Sequence, residues 1–148
     1  MIEWYKDKEL QIIFSAKPRL IMRYALPDDS KKDKARKNKY PFMNIQELQV
    51  DIKYKDKYYS FIIPKNYTYD GATIPRIFWR IIGSKTQPEF LIPSLIHDYM
   101  CENHDCIGND RNLSSKIFKA LLLESGVGKI KANTMYFFVN NYQKLLKW

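Results

Sequence analysis

The chain is short of the residues that carry most enzyme chemistry: its 148 residues include two histidines, two cysteines and five glycines. Two cysteines separated by only four residues make a poor disulfide framework, which points to a reduced, intracellular origin. With two histidines and no second motif, a phosphohydrolase centre built from several His and Asp ligands is not expected. A phosphate-cradling glycine loop, a Gly-x-Ser-x-Gly elbow and a His-Glu-x-x-His helix are all absent. No apolar run reaches the roughly 18 residues needed to span a bilayer. The opening Met1-Ile2-Glu3-Trp4-Tyr5-Lys6-Asp7 lacks the basic start and apolar centre of a signal peptide, so the chain is expected to be soluble where it is made.

The chain is rich in apolar and positively charged residues. A composition of 45% hydrophobic and 15% aromatic residues is that of a packed globule, and the length suits a single domain over residues 1–148. The net charge is +9, and much of it is local: Lys31, Lys32, Lys34, Arg36, Lys37 and Lys39, offset by Asp33, contribute +5. This block is the candidate binding surface. It could meet nucleic acid, anionic lipid or an acidic partner protein through steering and counterion release, or simply be a solvated segment. Residues 27–40 are polar and without periodicity, which predicts a basic, mobile loop.

The first half reads as strands. Residues 11–15, 19–24, 48–54 and 58–64 are short and rich in aromatic or β-branched side chains, and Lys55-Asp56-Lys57 links the last two as a hairpin. The second half reads as helices. Ser94 after Pro93 is placed to cap one helix through about Asn103, and Asp110 to cap a second that carries Leu113, Ile117, Phe118, Leu121 and Leu122 and ends at Gly126. A third runs from Lys129 with Met135, Phe138, Val139, Tyr142 and Leu146 on one stripe. Between the halves, residues 67–79 read as a half-buried loop turning at Asp70-Gly71. The expected fold class is α+β, a mostly antiparallel N-terminal sheet followed by about three helices.

Every histidine and cysteine, His97, Cys101, His104 and Cys106, falls within residues 97–106. Three arrangements account for such a cluster. In the first, the four side chains bind zinc, since a helix puts His97 and Cys101 on one face and the following loop could close the set; four ligands from ten contiguous residues would strain both, and no cofactor is the expectation. In the second, His97 carries a proton in acid–base or hydrolytic catalysis, Asp70 or Asp98 orients it, Arg111 stabilises negative charge, and Cys101 is a remote candidate nucleophile. Neighbours on a helix diverge by about 100°, so Asp70 is the better partner for His97. In the third, Asp70, His97, Asp98 and Arg111 form a polar network that ties the loop to the helical half without doing chemistry.

The order Asp70-Gly71-Ala72-Thr73-Ile74-Pro75, Trp79, Gly83, His97-Asp98-Tyr99, Arg111, Phe118, Gly126, Met135-Tyr136 resembles an uncharacterised bacteriophage and prophage family, domain of unknown function 1353, over roughly residues 58–142. The resemblance implies phage or prophage origin and brings no reaction with it. Two departures stand out: Ser114-Ser115 where the family commonly has Ala-Asp, and Cys101 where an aromatic is common. A carboxylate at Ser115 would have offered a third metal ligand beside His97 and Asp98. The expected function is a virion-associated or accessory binding or structural protein in the host cytoplasm or the virion, with a phage or host protein as its partner. The alternative is a small hydrolase-like enzyme using His97 as acid and base.

Overall fold

A computed structural model describes residues 1–71 and 87–145 of the chain. Two antiparallel sheets occupy the N-terminal half. The first has strand order β1-β2-β5-β6, from β1 (Ile2–Lys6), β2 (Leu10–Phe14), β5 (Leu48–Tyr54) and β6 (Lys57–Ile63). The second has order β3-β4-β7, from β3 (Leu20–Met22), β4 (Phe42–Asn44) and β7 (Thr68–Tyr69). The α+β class and four of the strands match the sequence reading; β1, β4 and β7 were not anticipated, being short or lacking a clear alternation.

Alternation explains the larger sheet. Leu10, Ile12 and Phe14 on β2, Leu48, Val50, Ile52 and Tyr54 on β5, and Phe61 and Ile63 on β6 all turn to one buried face. Ile12 stands directly opposite Ile52 in the ladder. Each fully buried side chain of this size contributes about 1.5–3 kcal/mol by leaving water, so this face holds the sheet against the helices. The β5–β6 hairpin turns where expected, with Lys55 at a φ of 56°.

Four α-helices lie among the described residues: α1 (Lys31–Lys39), α2 (Leu91–Glu102), α3 (Arg111–Glu124) and α4 (Lys129–Leu145). Leu95, Ile96 and Met100 of α2 and Leu113, Ile117 and Leu121 of α3 complete the core under the sheet. Phe118 and Leu122 of α3 form a second core with Met135 and Val139 of α4. Asp110 caps α3 as its position suggested, accepting from the Leu113 N–H at 3.0 Å. On α4, Met135 and Val139 are buried as predicted, whereas Tyr142 of the same expected stripe is exposed and Leu146 lies outside the described residues.

Two expectations are corrected. Residues 27–40 are not a loop throughout, because they contain α1. Hydrophobic periodicity could not reveal this helix, since none of its residues is buried. Its ends carry the signal instead. Ser30 Oγ accepts from the Asp33 N–H at 3.1 Å, Asp33 sits in the first turn, and Arg36, Lys37 and Lys39 in the last turn complement the helix dipole. The second correction concerns Ser94, which does not cap α2. A 3₁₀ turn over Pro88–Phe90 leads straight into the helix, Phe90 takes the cap position, and Ser94 is buried inside the first turns. Pro93 is tolerated there because the N–H groups of a first turn have no helical partner to lose.

Candidate functional site

The Asp70 segment reaches α2 through two tyrosines. Tyr69 on β7 donates its hydroxyl to the Leu91 carbonyl at 3.0 Å, and Tyr67 donates to Glu102 at 2.9 Å. The Tyr67 ring packs edge-on against Tyr99 at 5.4 Å, and Tyr99 stacks on Phe61 at 5.5 Å. The chain from Tyr67 to Asp70 is thereby held beside the two ends of α2, and Gly71, with a φ of 90°, takes a left-handed conformation that suits glycine.

Within this frame the Asp70 carboxyl and the Gly71 N–H lie within hydrogen-bonding reach of the Asp98 carboxyl. Two carboxyl groups can bond to each other only by holding a proton between them. Burial pushes the Asp98 carboxyl well above the ordinary aspartate range, and the Asp70 and Glu102 carboxylates push it in the same direction. The same burial and the neighbouring Glu102 raise Tyr67.

His97 points elsewhere. It is 5% exposed, its ring lies 4.8 Å from that of Phe118 on α3, and Cys101 Sγ stands 3.7 Å from each ring nitrogen. Burial lowers its pKa from 6.5 to about 4, so the imidazole is neutral near pH 7. The expected pairing of His97 with Asp70 is thus replaced by one of Asp70 with Asp98. The 100° divergence of neighbouring helix residues was read correctly, but the loop arrives at the Asp98 face.

Ser94, His97 and Asp98 share a small cleft of about 30 Å³ with Phe118, Val139, Tyr142 and Gln143. Ser94 Oγ and Asp98 Oδ2 are both buried and have no hydrogen-bond partner among the described residues. A volume of this order holds one water molecule. Ser94 was considered only as a cap; its spacing of four from Asp98 on one helix face was the signal that joins them.

The remaining candidates are dispersed. Arg111 opens α3, and among the described residues its buried Nε has no partner and no ion pair joins it to Asp70, Asp98 or Glu102. Its carbonyl accepts from the hydroxyls of Ser114 at 2.7 Å and Ser115 at 3.3 Å, and Ser115 also reaches Asn140 Oδ1 at 3.1 Å. His104 and Cys106 sit in the 3₁₀ turn His104–Ile107, where Cys106 packs against the main core. Burial pushes the Cys101 thiol up, and nearby Asp98, Glu102 and Asp70 push it further; Cys106 rises to about 12. Neither thiol is an activated nucleophile near neutral pH. Among the described residues no three His, Cys, Asp or Glu side chains gather in a way that could hold a metal ion. Residues 72–79 of the Asp70 loop and Gly83 lie outside the described residues.

The basic block lies apart from this cluster. Lys31, Lys32, Arg36 and Lys39 are exposed on α1, Lys34 is half-buried, and Lys37 pairs with Asp29 at 2.9 Å.

Comparison with known proteins gives a family match and two relatives. A family model described as a protein of unknown function, DUF1353, matches residues 46–139. The uncharacterized protein y4jT of Sinorhizobium fredii is 34% identical over 97 residues, covering 65% of this chain. A second protein of that organism, the uncharacterized y4iH, is 29% identical over 70 residues, covering 47%. The matched stretch amounts to only 28% of the length of each relative. No solved structure matches the chain. Among the described residues no helix is long and apolar enough to cross a membrane.

Proposed function

The chain belongs to the DUF1353 family, and from that premise we propose that it is a phage- or prophage-encoded accessory binding protein whose half-buried Asp70 and Asp98 and buried His97 hold the fold together while the basic helix α1 meets the partner. Its place is the host cytoplasm or the virion. One observation carries this reading: Asp70, Asp98 and His97 are engaged with neighbouring groups of the fold, whereas the concentrated charge of α1 is turned outward. Asp70 and Asp98 bond mutually, and His97 is sealed under Phe118. A helix with no buried residue and a net charge of +5 contributes little to the core and much to long-range attraction. Phage or prophage origin is supported by the order of the motifs from Asp70 to Tyr136.

The test compares two sets of variants against a fluorescent polyanion over a range of salt. Replacing Lys31, Lys32, Lys34 and Lys37 by glutamine should weaken binding and flatten its salt dependence, since each lost contact removes about one unit of slope. Asp98→Asn, with a thermal melt confirming that the variant is folded, should leave binding intact. Equal loss in both sets, or no binding by the parent protein, overturns the proposal.

A second reading is favoured by the unpartnered Ser94 Oγ and Asp98 Oδ2 in the cleft beside His97. Two carboxyls sharing a proton, with a neutral imidazole nearby, have the groups that a hydrolase-like acid–base centre requires. Turnover of an ester or peptide substrate that Asp98→Asn abolishes, with the melting temperature kept, would move the assignment to this reading.

A further inference from the structure

The excursion between β3 and β4 carries more than charge. β3 pairs with β4 in register Leu20↔Asn44, Ile21↔Met43 and Met22↔Phe42, and the residues between these strands include all of α1. Among the described residues β3 has a hydrogen-bonded neighbour on one side only. Along and just beyond this edge four large apolar side chains face solvent: Ile21 is 41% exposed, Met22 38%, Tyr24 68% and Leu26 51%. An unpaired strand edge with exposed apolar groups is a template for another strand, which proteins ordinarily blunt.

The arm ties the basic helix to the turn that follows β3. The Arg23 N–H donates to the Pro41 carbonyl at 2.6 Å, and Arg23 Nη2 donates to the Tyr40 carbonyl, also at 2.6 Å, closing the base of the excursion. Asp29 accepts from the Leu26 N–H at 2.7 Å and from Lys37 Nζ at 2.9 Å, which ties α1 to the turn that carries Leu26. Lys37 of α1 is therefore held close to Leu26, the last of the exposed apolar residues. Such a surface attracts a partner of opposite charge and then offers it backbone hydrogen bonds and apolar contact.

Resting on the accessory-binding reading above, we infer that the outer edge of β3, flanked by α1, is a docking site for an extended acidic segment of a partner protein that alternates carboxylates with apolar side chains. The bound segment adds a strand to the β3-β4-β7 sheet. Its apolar side chains cover Met22 and Tyr24, which share one face of the strand, and its carboxylates lie on the opposite face, where Ile21→Glu would repel them, within reach of the lysines of α1. A nucleic-acid partner would use the same cations, but it has no use for four exposed apolar residues, because such interfaces are polar and dominated by phosphate contacts.

Fluorescence anisotropy on the full chain tests this with three probes. They are a short peptide alternating glutamate with valine or leucine, an equally charged peptide with glycine and serine in place of the apolar residues, and a short duplex DNA. The alternating peptide should bind at least about tenfold more tightly than either other probe. Ile21→Glu should weaken it about tenfold or more, Lys31→Gln with Lys34→Gln should weaken it in a salt-dependent way, and Lys6→Gln on the other sheet should leave it unchanged. Prolines at the peptide's centre, which remove backbone donors, should abolish binding. Of the four residues replaced in these three variants, Ile21, Lys31 and Lys6 are exposed and Lys34 is half-buried, and a thermal melt confirms that each variant is folded. Equally tight binding of the glycine–serine peptide or the duplex would overturn strand docking and leave the accessory-binding reading standing; no binding of any probe would overturn both.

Discussion

Acidification from about pH 7.5 to about pH 5 should destabilise the protein through His97, and the magnitude follows from its burial. In the unfolded chain the imidazole titrates near 6.5; in the folded protein, 5% exposed beneath Phe118, it titrates near 4. Because the folded value is depressed, the folded state binds fewer protons than the unfolded state between those pH values. The contribution of neutral His97 is fully present above 6.5 and is lost as the pH falls towards 4. A shift of this size amounts to about 3 kcal/mol over the whole window, of which about 2 kcal/mol is lost by pH 5. For a chain of this length that is a fall of roughly 4–8 °C in Tm from His97 alone. The assay is urea unfolding of the parent and His97→Leu at several pH values, read as the difference between the two proteins. Packing changes introduced by leucine shift that difference by a constant, and only the imidazole's titration gives it a slope. Asp98 titrates with the opposite sign, but both proteins carry it. A difference independent of pH would refute the buried, neutral assignment of His97.

Three further outcomes are expected. The Asp98 carboxyl is raised, so its contribution is fully present below the ordinary aspartate value of 3.8 and is lost as pH rises through the folded value; melting curves of Asp98→Asn should lack this alkaline loss, and curves parallel to the parent would contradict the shared proton. Ser30→Ala removes the α1 cap, worth about 1 kcal/mol locally. Since α1 buries nothing, amide exchange at residues 34–39 should accelerate while the global melt is unchanged, and a clear drop in that melt would show that α1 supports the core. Gly108→Ala places a Cβ 3.0 Å from the Tyr59 hydroxyl at a φ of +65°, so stability should fall by about 1–3 kcal/mol in chemical denaturation, and an unchanged midpoint would count against the left-handed turn there.

The sequence by itself determined the elements whose signal is local. Alternation at Leu48, Val50 and Ile52 made β5 legible, the aromatic run of β6 and the polar link at Lys55 made the hairpin, and Asp110 followed by Leu113, Ile117 and Leu121 specified the start and inner face of α3. These patterns survive folding because each side chain's face is set by its own strand or helix period. The order of motifs around His97 and Asp70 likewise identified the family. The α1 helix was not legible by the same rule, since it has no inner face and depends on Ser30 and on charges at its ends.

Which groups of the site meet was decided by the tertiary structure. Helical geometry separates His97 from Asp98 by about 100°, and nothing local says which of those two faces the Asp70 loop will cover. Tyr69 on Leu91 and Tyr67 on Glu102 bring the loop to Asp98, while Phe118 of α3 and the side chains of α4 claim the His97 side. The protonation of both groups follows from that choice. A carboxyl is charged or neutral, and an imidazole free or sealed, according to which neighbours exclude water from it, and those neighbours come from parts of the chain far away in sequence.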